Sequence, residues 1–184
     1  MITAIRQQLL IMNKDDCEHS SLSYQEKGKG VKLTPSKNGE AIKIRVDDQS
    51  KNNGESGLIT EGSRCDCLYF YQQPSLRHIL LVELKGNNYE KALSQLHATK
   101  EHPDYKVLLE VVENQPKITV SKLPKLEQTA VAILASKAQT NRPRKDEWEN
   151  ANNLRLRVER IKDDETFDLR SLIKEMSSNE NWRV

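Results

Sequence analysis

The residues of this chain whose types and spacing are suited to chemistry are Asp66, Glu83 and Lys85. They belong to two short segments, 65–71 and 78–85, that are rich in aromatic and aliphatic residues and are predicted to be β-strands. Paired carboxylates can hold a metal ion that activates water, and a lysine beside them can position that water. Such chemistry requires the two strands to bring the three side chains together.

An antiparallel hairpin with a symmetric turn would place Asp66 directly opposite Glu83. Opposed residues in such a hairpin have numbers with a constant sum, and this pair puts the centre between Pro74 and Ser75, inside the predicted turn at 72–77. Directly opposed residues have Cβ atoms about 4.5–5.5 Å apart. Because side chains alternate along a strand, Lys85 shares the face of Glu83.

The two opposed carboxylates would repel each other on a face that is otherwise apolar, with Leu68, Phe70, Ile79 and Leu81. A divalent cation between the carboxylates would remove that repulsion. Mg²⁺ suits this role because it takes one or two carboxylates and fills its other positions with water and phosphate oxygens; Mn²⁺ is a possible substitute. The pattern therefore predicts metal-assisted hydrolysis of a phosphodiester.

The hydrophobic pattern predicts an α/β fold around this pair of strands. Apolar residues on both faces of 65–71 and 78–85 indicate central strands of a covered sheet. A helix follows to about Lys100, with Asn87 or Asn88 as its N-cap; Asn87 would form a capping box with Glu90. The other predicted elements are a helix at 1–12, a mainly loop-like stretch at 15–40 with a strand at 31–33, a strand at 41–46, a strand or helix at 105–112, a short strand at 117–120, a core strand or buried helix at 129–135, an edge strand at 154–161 and a terminal helix at 167–176.

Asp66, the sequence Glu83-Leu84-Lys85 and the helix after it resemble the catalytic core of the PD-(D/E)xK nuclease superfamily. The resemblance covers about residues 41–136. Within the superfamily, it is more specifically to a group of small prokaryotic members. It implies a restriction-endonuclease-like core, in which a central mixed β-sheet is flanked by helices in the order helix–strand–strand–strand–helix–strand. It also implies that Asp66, Glu83 and the main-chain carbonyl of Leu84 hold Mg²⁺, that Lys85 is the catalytic lysine and that Gln95 supports the site.

The sequence departs from the superfamily pattern in two places. Cys65 replaces the proline that commonly precedes the first acid. Many members also carry an acidic ligand on the first helix, whereas residues 1–12 contain none. Alternative sources of that carboxylate are Glu18, Glu26, Glu40 and, from the neighbouring strand, Asp47.

Composition limits the partners of the chain. Its 184 residues include 29 Lys and Arg against 27 Asp and Glu, a net charge of +2 that creates no overall field for nucleic acid. Binding would use local basic segments such as 27–32 or 142–145, although short basic runs are also typical of solvated loops.

No stretch approaches the ~18 apolar residues of a membrane span, the first residues are too polar for a secretory signal, and the odd number of cysteines indicates reduced thiols. We therefore expect a soluble, cytoplasmic protein.

We expect residues 1–136 to form a nuclease-like domain that includes the N-terminal helix. Residues 137–184 are expected to be a charged extension that packs on or extends the same domain. The expected function is a Mg²⁺-dependent endonuclease that acts on nucleic acid, with DNA favoured and a homodimer as one option, in a defence, mobile-element or repair context. The alternative is a catalytically inert nuclease-fold module that binds protein or nucleic acid. A third alternative is an interaction protein in which the three charged residues form a structural ion cluster.

Overall fold

A computed structural model describes residues 1–26, 28–47, 57–114 and 124–178 of the chain, so the strand predicted at 117–120 lies outside the described residues. The helices are α1 (Ile2–Ile11), α2 (Tyr89–Glu101), α3 (Pro103–Glu113), α4 (Arg142–Asn152) and α5 (Arg170–Ser178). The strands are β1 (Glu18–His19), β2 (Ser23–Glu26), β3 (Lys29–Lys32), β4 (Glu40–Arg45), β5 (Cys67–Gln73), β6 (Leu76–Leu84), β7 (Leu126–Ala135), β8 (Arg155–Ile161) and β9 (Thr166–Asp168).

The centre of the protein is a mixed six-stranded sheet with the order β1-β4-β5-β6-β7-β8. Strands β1, β4, β5 and β6 pair antiparallel, whereas β7 and β8 continue the sheet in parallel from β6. A second, three-stranded sheet has the order β2-β3-β9. The α/β class, the mixed central sheet and the flanking helices predicted from the sequence are therefore confirmed.

Each face of the central sheet is covered by a different set of elements. One hydrophobic core joins β4, β5, β6 and β7 to α1, α2, α3 and α4. The other core joins the opposite face to the hairpin β2–β3 and to α5. Because both faces are covered, every residue of β6 is buried, as expected for a strand with apolar side chains on both sides.

The hairpin of β5 and β6 has the predicted register. Cys67 lies opposite Val82, and Gln73 lies opposite Leu76, so Pro74 and Ser75 form a two-residue turn at the predicted centre. The strand predicted at 129–135 is β7, and the one predicted at 154–161 is β8, which lies at the edge of the sheet. The predicted terminal helix is α5, which begins at Arg170, whereas residues 167–168 of the prediction belong to β9.

The helix boundaries decide between alternatives that the sequence left open in two places. Asn88 is the N-cap of α2, because its side-chain oxygen accepts a hydrogen bond from the N–H of Lys91 at 2.9 Å. The capping box between Asn87 and Glu90 is therefore wrong. The ambiguous stretch 105–112 lies in α3, where His102 caps the first turn and Pro103 occupies a position that needs no N–H donor.

The stretch 15–40 contains more regular structure than a loop. It holds a 3₁₀ turn at Asp15–Cys17 and the strands β1, β2 and β3. Strand β3 is stabilised by a distant partner, since it pairs with β9 in parallel. Helix α4 was not predicted either, because its sequence is strongly polar. The helix begins where the side chain of Asn141 accepts a hydrogen bond from the N–H of Arg144.

All three cysteines are buried thiols. Among the described residues, no helix has the length and apolar character needed to cross a membrane.

Adjacent leucines of α1 provide a test of how this helix packs. Leu9 is fully buried in the core and Leu10 is 59% exposed. We expect Leu9→Ala to lower the free energy of unfolding by about 2–5 kcal/mol, through lost burial and the cavity left behind. Leu10→Ala, the matched control with the same change in helix propensity, should stay within about 0.5 kcal/mol of wild type in urea denaturation. Equal losses for the two variants would contradict this packing.

Candidate active site

The structure places Asp66 immediately before β5 and Glu83 next to the last residue of β6. The main chain of Asp66 is fixed on both sides: its N–H donates to the carbonyl of Val82 at 3.1 Å, and its carbonyl accepts from the N–H of Val46 at 3.0 Å. Asp66 is 4% exposed and Glu83 is 0% exposed. Two acidic side chains therefore lie buried at neighbouring ends of central strands.

Asp66, Glu83 and Lys85 are brought together by this arrangement. The Oδ2 atom of Asp66 accepts a hydrogen bond of 2.6 Å from the main-chain N–H of Leu84, the residue after Glu83. The ammonium group of Lys85 forms an ion pair with Oε1 of Glu83, and its side chain is 19% exposed. Leu84 thus contacts Asp66 through its amide, and a role for its main-chain carbonyl in holding a metal stays a prediction.

The carboxylate of Glu83 lacks the hydrogen bonds that a buried carboxylate normally accepts. Neither Oε1 nor Oε2 accepts a hydrogen bond of acceptable geometry from any described residue, and the ion pair with Lys85 is made by Oε1. Buried polar atoms without a partner are rare in proteins and lower stability. Their presence points to a group that would complete the site.

Burial raises the pKa of both carboxyl groups, and the charge of Glu83 adds to the shift of Asp66. Burial, followed by the charge of Glu83, raises the pKa of Asp66 well above its usual range, and the N–H of Leu84 opposes this shift. Burial raises the pKa of Glu83 to about 7, although Lys85 acts in the opposite direction. Burial alone would lower the pKa of Lys85, but its contact with Glu83 prevails and the net shift is upward. Lys85 is therefore an ammonium ion in the metal-free site.

Helix α2 holds the segment that leads into Asp66. The Nε2 atom of Gln95 donates to the carbonyl of Arg64 at 2.6 Å, so Gln95 contacts the main chain before the acid rather than the carboxylates. One helical turn later, Oγ1 of Thr99 accepts the N–H of Cys65 at 2.7 Å and donates to the carbonyl of Gln95 at 3.0 Å. Thr99 was not predicted from the sequence. Its position four residues after Gln95, on the same face of the helix, was the pattern that could have indicated it.

Asp47 also contacts this segment instead of the two carboxylates. Its carboxylate pairs with the guanidinium group of Arg64 at 2.7 Å. Arg64 in turn donates to the carbonyl of Gly62 at 2.8 Å. Asp47 therefore stabilises the loop before Asp66, and its predicted approach to the site is replaced by this ion pair.

Of the remaining alternative acids, the charge of Glu26 acts on the site. It raises the pKa of both Asp66 and Glu83. Glu18 instead forms an ion pair with Arg6 at 2.7 Å, and Glu40 accepts a hydrogen bond from Gln72 at the other end of the β4–β5 ladder.

The basic segments predicted to bind nucleic acid are partly neutralised by acidic neighbours. Lys29 is buried and pairs with Asp163 at 2.6 Å. Arg144 pairs with Glu90 at 3.1 Å and with Glu147 at 3.3 Å. The segment 142–145 begins α4, so the expected solvated loop is a helix start in the structure.

An open cleft of about 830 Å³ lies beyond the carboxyl ends of β6 and β7. It is bordered by the N-termini of α2 and α4 and lined by residues 87–90 and 139–142. Its lining begins two residues after Lys85. In α/β sheets, crevices at the carboxyl ends of parallel strands are the usual place for ligands.

No family model, curated protein or solved structure matches this chain. Within the ranges that the structure describes, no group of three or more His, Cys, Asp and Glu side chains is arranged to hold a metal ion. The site is therefore defined by its own geometry: two buried carboxylates, one ammonium group and the helix that supports them.

The raised pKa values predict how stability varies with pH in EDTA. A carboxyl group whose pKa is higher in the folded state favours folding below its unfolded pKa, and this contribution is lost as pH rises through the folded value. We expect wild type to lose stability relative to Asp66→Asn as pH rises from 3.8, the ordinary value for aspartate, towards neutral pH, because burial and the charge of Glu83 hold the folded pKa of Asp66 well above that value. The asparagine oxygen can still accept the N–H of Leu84, so the variant removes mainly the charge. Chemical denaturation across this range measures the difference, and a constant gap would contradict the prediction.

Replacing Thr99 tests the support from α2. Thr99→Val keeps the shape but leaves the buried N–H of Cys65 without an acceptor, so we expect the free energy of unfolding to fall by about 1–3 kcal/mol. Thr99→Ser retains the hydroxyl group and serves as the control, with a smaller loss. Guanidinium denaturation of both variants measures the effect. Valine and serine variants of equal stability would argue against this hydrogen bond.

Proposed function

We propose that this protein is a Mg²⁺- or Mn²⁺-dependent nuclease of the PD-(D/E)xK type that hydrolyses phosphodiester bonds in nucleic acid, with DNA as the favoured substrate. The observation that carries the proposal is the pair of buried carboxylates of Asp66 and Glu83 at neighbouring strand ends, with the ammonium group of Lys85 paired with Glu83. A protein that needed only a stable sheet would have no reason to bury this repulsion at its centre.

The order of elements supports a restriction-endonuclease-like core. Along the chain, α1, β4, β5, β6, α2 and β7 follow the sequence helix–strand–strand–strand–helix–strand, with α3 inserted before β7. The first three of these strands pair antiparallel and the last joins β6 in parallel. The acids and the lysine stand at the ends of β5 and β6, where the resemblance implies them.

The groups present fit a hard divalent cation. Carboxylate oxygens are its preferred ligands, and the buried carboxylate of Glu83, whose Oε1 atom pairs with Lys85, has a second oxygen that accepts no hydrogen bond of acceptable geometry from the described residues. Asp66 and Glu83 would hold the ion, with the main-chain carbonyl of Leu84 as the further ligand implied by the resemblance. When bound, the ion would neutralise charge on the phosphate and make water a better nucleophile near neutral pH.

Each protein group has a task in such a reaction. The N–H of Leu84 orients the carboxylate of Asp66. Lys85, held as an ammonium ion, would donate hydrogen bonds to a phosphate oxygen or to the attacking water. The supports from Gln95 and Thr99 limit movement of the main chain before Asp66. Hydrolysis consumes one water, breaks one P–O bond and leaves a phosphate monoester and a hydroxyl group at the two new ends.

The cleft beyond β6 and β7, whose lining begins two residues after Lys85 in the chain, would give an extended substrate a path that leads from the site. Its lining includes the polar side chains of Asn87, Gln139, Thr140 and Arg142, together with Glu90, whose charge is paired with Arg144. Such groups can donate hydrogen bonds to a sugar–phosphate backbone without reading bases. We propose that the nucleic-acid strand runs through this cleft and places one phosphate beside Lys85.

Replacing the charged residues one at a time tests this function. Asp66→Asn, Glu83→Gln and Lys85→Ala should remain folded, yet lose about 10²–10³-fold in cleavage rate because each removes a group aligned with the reacting phosphate. Lys106→Ala, an exposed lysine of α3 that pairs with Glu101, is the matched control and should cleave like wild type. Plasmid, single-stranded DNA and RNA are assayed with Mg²⁺, Mn²⁺ or EDTA.

Cleavage retained by all three site variants would overturn the proposal. The alternative of an inert nuclease-fold module would be favoured by tight binding to nucleic acid or protein that neither EDTA nor Lys85→Ala affects. A structural ion cluster would be favoured if Mg²⁺ left the melting temperature unchanged, since only a ligand that prefers the folded state raises it.

A further inference from the structure

Strand β8 forms one edge of the central sheet. Among the described strands it pairs with β7 alone, in parallel, so its other side has no neighbouring strand. The main-chain N–H and C=O groups of successive residues point alternately to the two sides of a strand. The outer edge of β8 therefore carries main-chain groups that can bond to a further strand.

Two carboxylates show which residues of β8 face this outer edge. The N–H of Leu156, near the start of the strand, donates to Oε1 of Glu149 at 2.6 Å. The N–H of Lys162, just after its end, donates to Oε2 of Glu165 at 2.8 Å. Because carboxylates rather than β7 accept both N–H groups, the even-numbered residues face outward. Val158 lies between the two covered positions.

The side chains on either side of Val158 carry opposite charges. Arg157 and Glu159 are two residues apart on the strand and therefore share one face of the sheet. Arg157 pairs with Glu175 of α5, yet its side chain is 32% exposed and its Nε–H has no acceptor among the described residues. Burial raises the pKa of the half-buried Glu159, so its own chain compensates this carboxylate incompletely.

These charges select one way of pairing two copies of β8. In an antiparallel pair with two-fold symmetry, outward-facing residues lie opposite one another, so the axis passes through a residue of the strand. An axis at Arg157 or at Glu159 would set two like charges directly against each other, which is destabilising. An axis at Val158 instead sets each Arg157 against the Glu159 of the second copy.

We propose that the outer edge of β8 pairs antiparallel with the same edge of a second copy of this chain, about a two-fold axis at Val158. The main-chain N–H and C=O groups of the two Val158 residues then bond to each other. On the face covered by α5, an ion pair between Arg157 and Glu159 forms across the interface on each side of the axis.

This register also suits the covered end of the edge. With the axis at Val158, Leu156 lies opposite Arg160 of the second copy. The carboxylate of Glu149, which accepts the N–H of Leu156, therefore lies beside a guanidinium group. Because Glu149 keeps this N–H, main-chain bonding between the copies is limited to the middle of the strand. The stability of the dimer then depends on the complementary charges.

The pairing joins the six-stranded sheets of two copies into one continuous sheet. Because β6, β7 and β8 run in the same direction, the carboxylate sites of the two copies face opposite ends of the joined sheet. Pairing of the edges requires neither a metal ion nor the carboxylates of Asp66 and Glu83. It is therefore independent of the proposed function.

Analytical ultracentrifugation of the full chain measures the dimer Kd. We expect wild type to approach twice the 21.1 kDa mass of the chain as concentration rises. Glu159→Arg and Arg157→Glu should each raise the Kd about tenfold or more, because each sets like charges against each other on both sides of the axis. An equimolar mixture of the two variants restores opposite charges and should associate like wild type. Glu110→Arg, the same reversal at an exposed residue of α3, is the control.

Disulfide trapping tests the register separately. Directly opposed residues of a hydrogen-bonded antiparallel pair have Cα atoms about 5.5 Å apart, which a disulfide can bridge. Val158→Cys should therefore give a covalent dimer on mild oxidation. Arg160→Cys should not, because Arg160 lies opposite Leu156 in this register. The native cysteines are buried thiols, which keeps the background low.

Each outcome decides for or against the pairing once circular dichroism shows that the variants are folded. Wild type that stays monomeric at every concentration would overturn the proposal and would show that the charges of β8 protect this edge from pairing. A dimer whose Kd is the same in both charge variants, or a mixture that stays dissociated, would overturn it by placing the interface elsewhere. Cross-linking of Arg160→Cys without cross-linking of Val158→Cys would overturn the register.

Discussion

The candidate site depends on the pairing of β5 with β6. This hairpin has a two-residue turn, and its register sets Cys67, the residue after Asp66, against Val82, the residue before Glu83. A slip of one residue would turn every side chain of a strand to the other face, and since both faces of β6 are buried, the packing on each side opposes such a slip. The position of the two carboxylates is therefore fixed by the same contacts that stabilise the sheet.

Burial in the central sheet raises the pKa of both carboxyl groups and keeps water from screening their repulsion. Water would screen them at a surface, whereas here their repulsion is balanced by Lys85 and the N–H of Leu84. The balance is incomplete, as the unpartnered oxygen of Glu83 and the raised pKa of Asp66 show. Binding and catalytic sites commonly contain groups that lower the stability of the folded protein in this way.

The sequence predicted the elements that pair with neighbours in the chain, and it missed elements whose pairing depends on segments far away in the chain. The hairpin could be predicted because its strands are apolar and adjacent in the chain. Strand β2 could not, since its sequence is polar and its sheet depends on β3 and on β9, more than a hundred residues away. Likewise, Asn87 and Asn88 were equivalent as caps until the structure showed which side chain accepts the N–H of Lys91.

The parallel addition of β7 to β6 has a consequence for how the chain folds. Their ladder runs from Arg77 opposite Leu126 to Leu84 opposite Ile133, and α2 and α3 lie between the two strands in the chain. Closing so long a connection loses entropy before the ladder forms, whereas the β5–β6 hairpin closes early and locally. During synthesis, β6 therefore exposes an edge of unpaired main-chain N–H and C=O groups until β7 emerges. This interval is when the chain is most open to pairing with another copy and to assistance from chaperones.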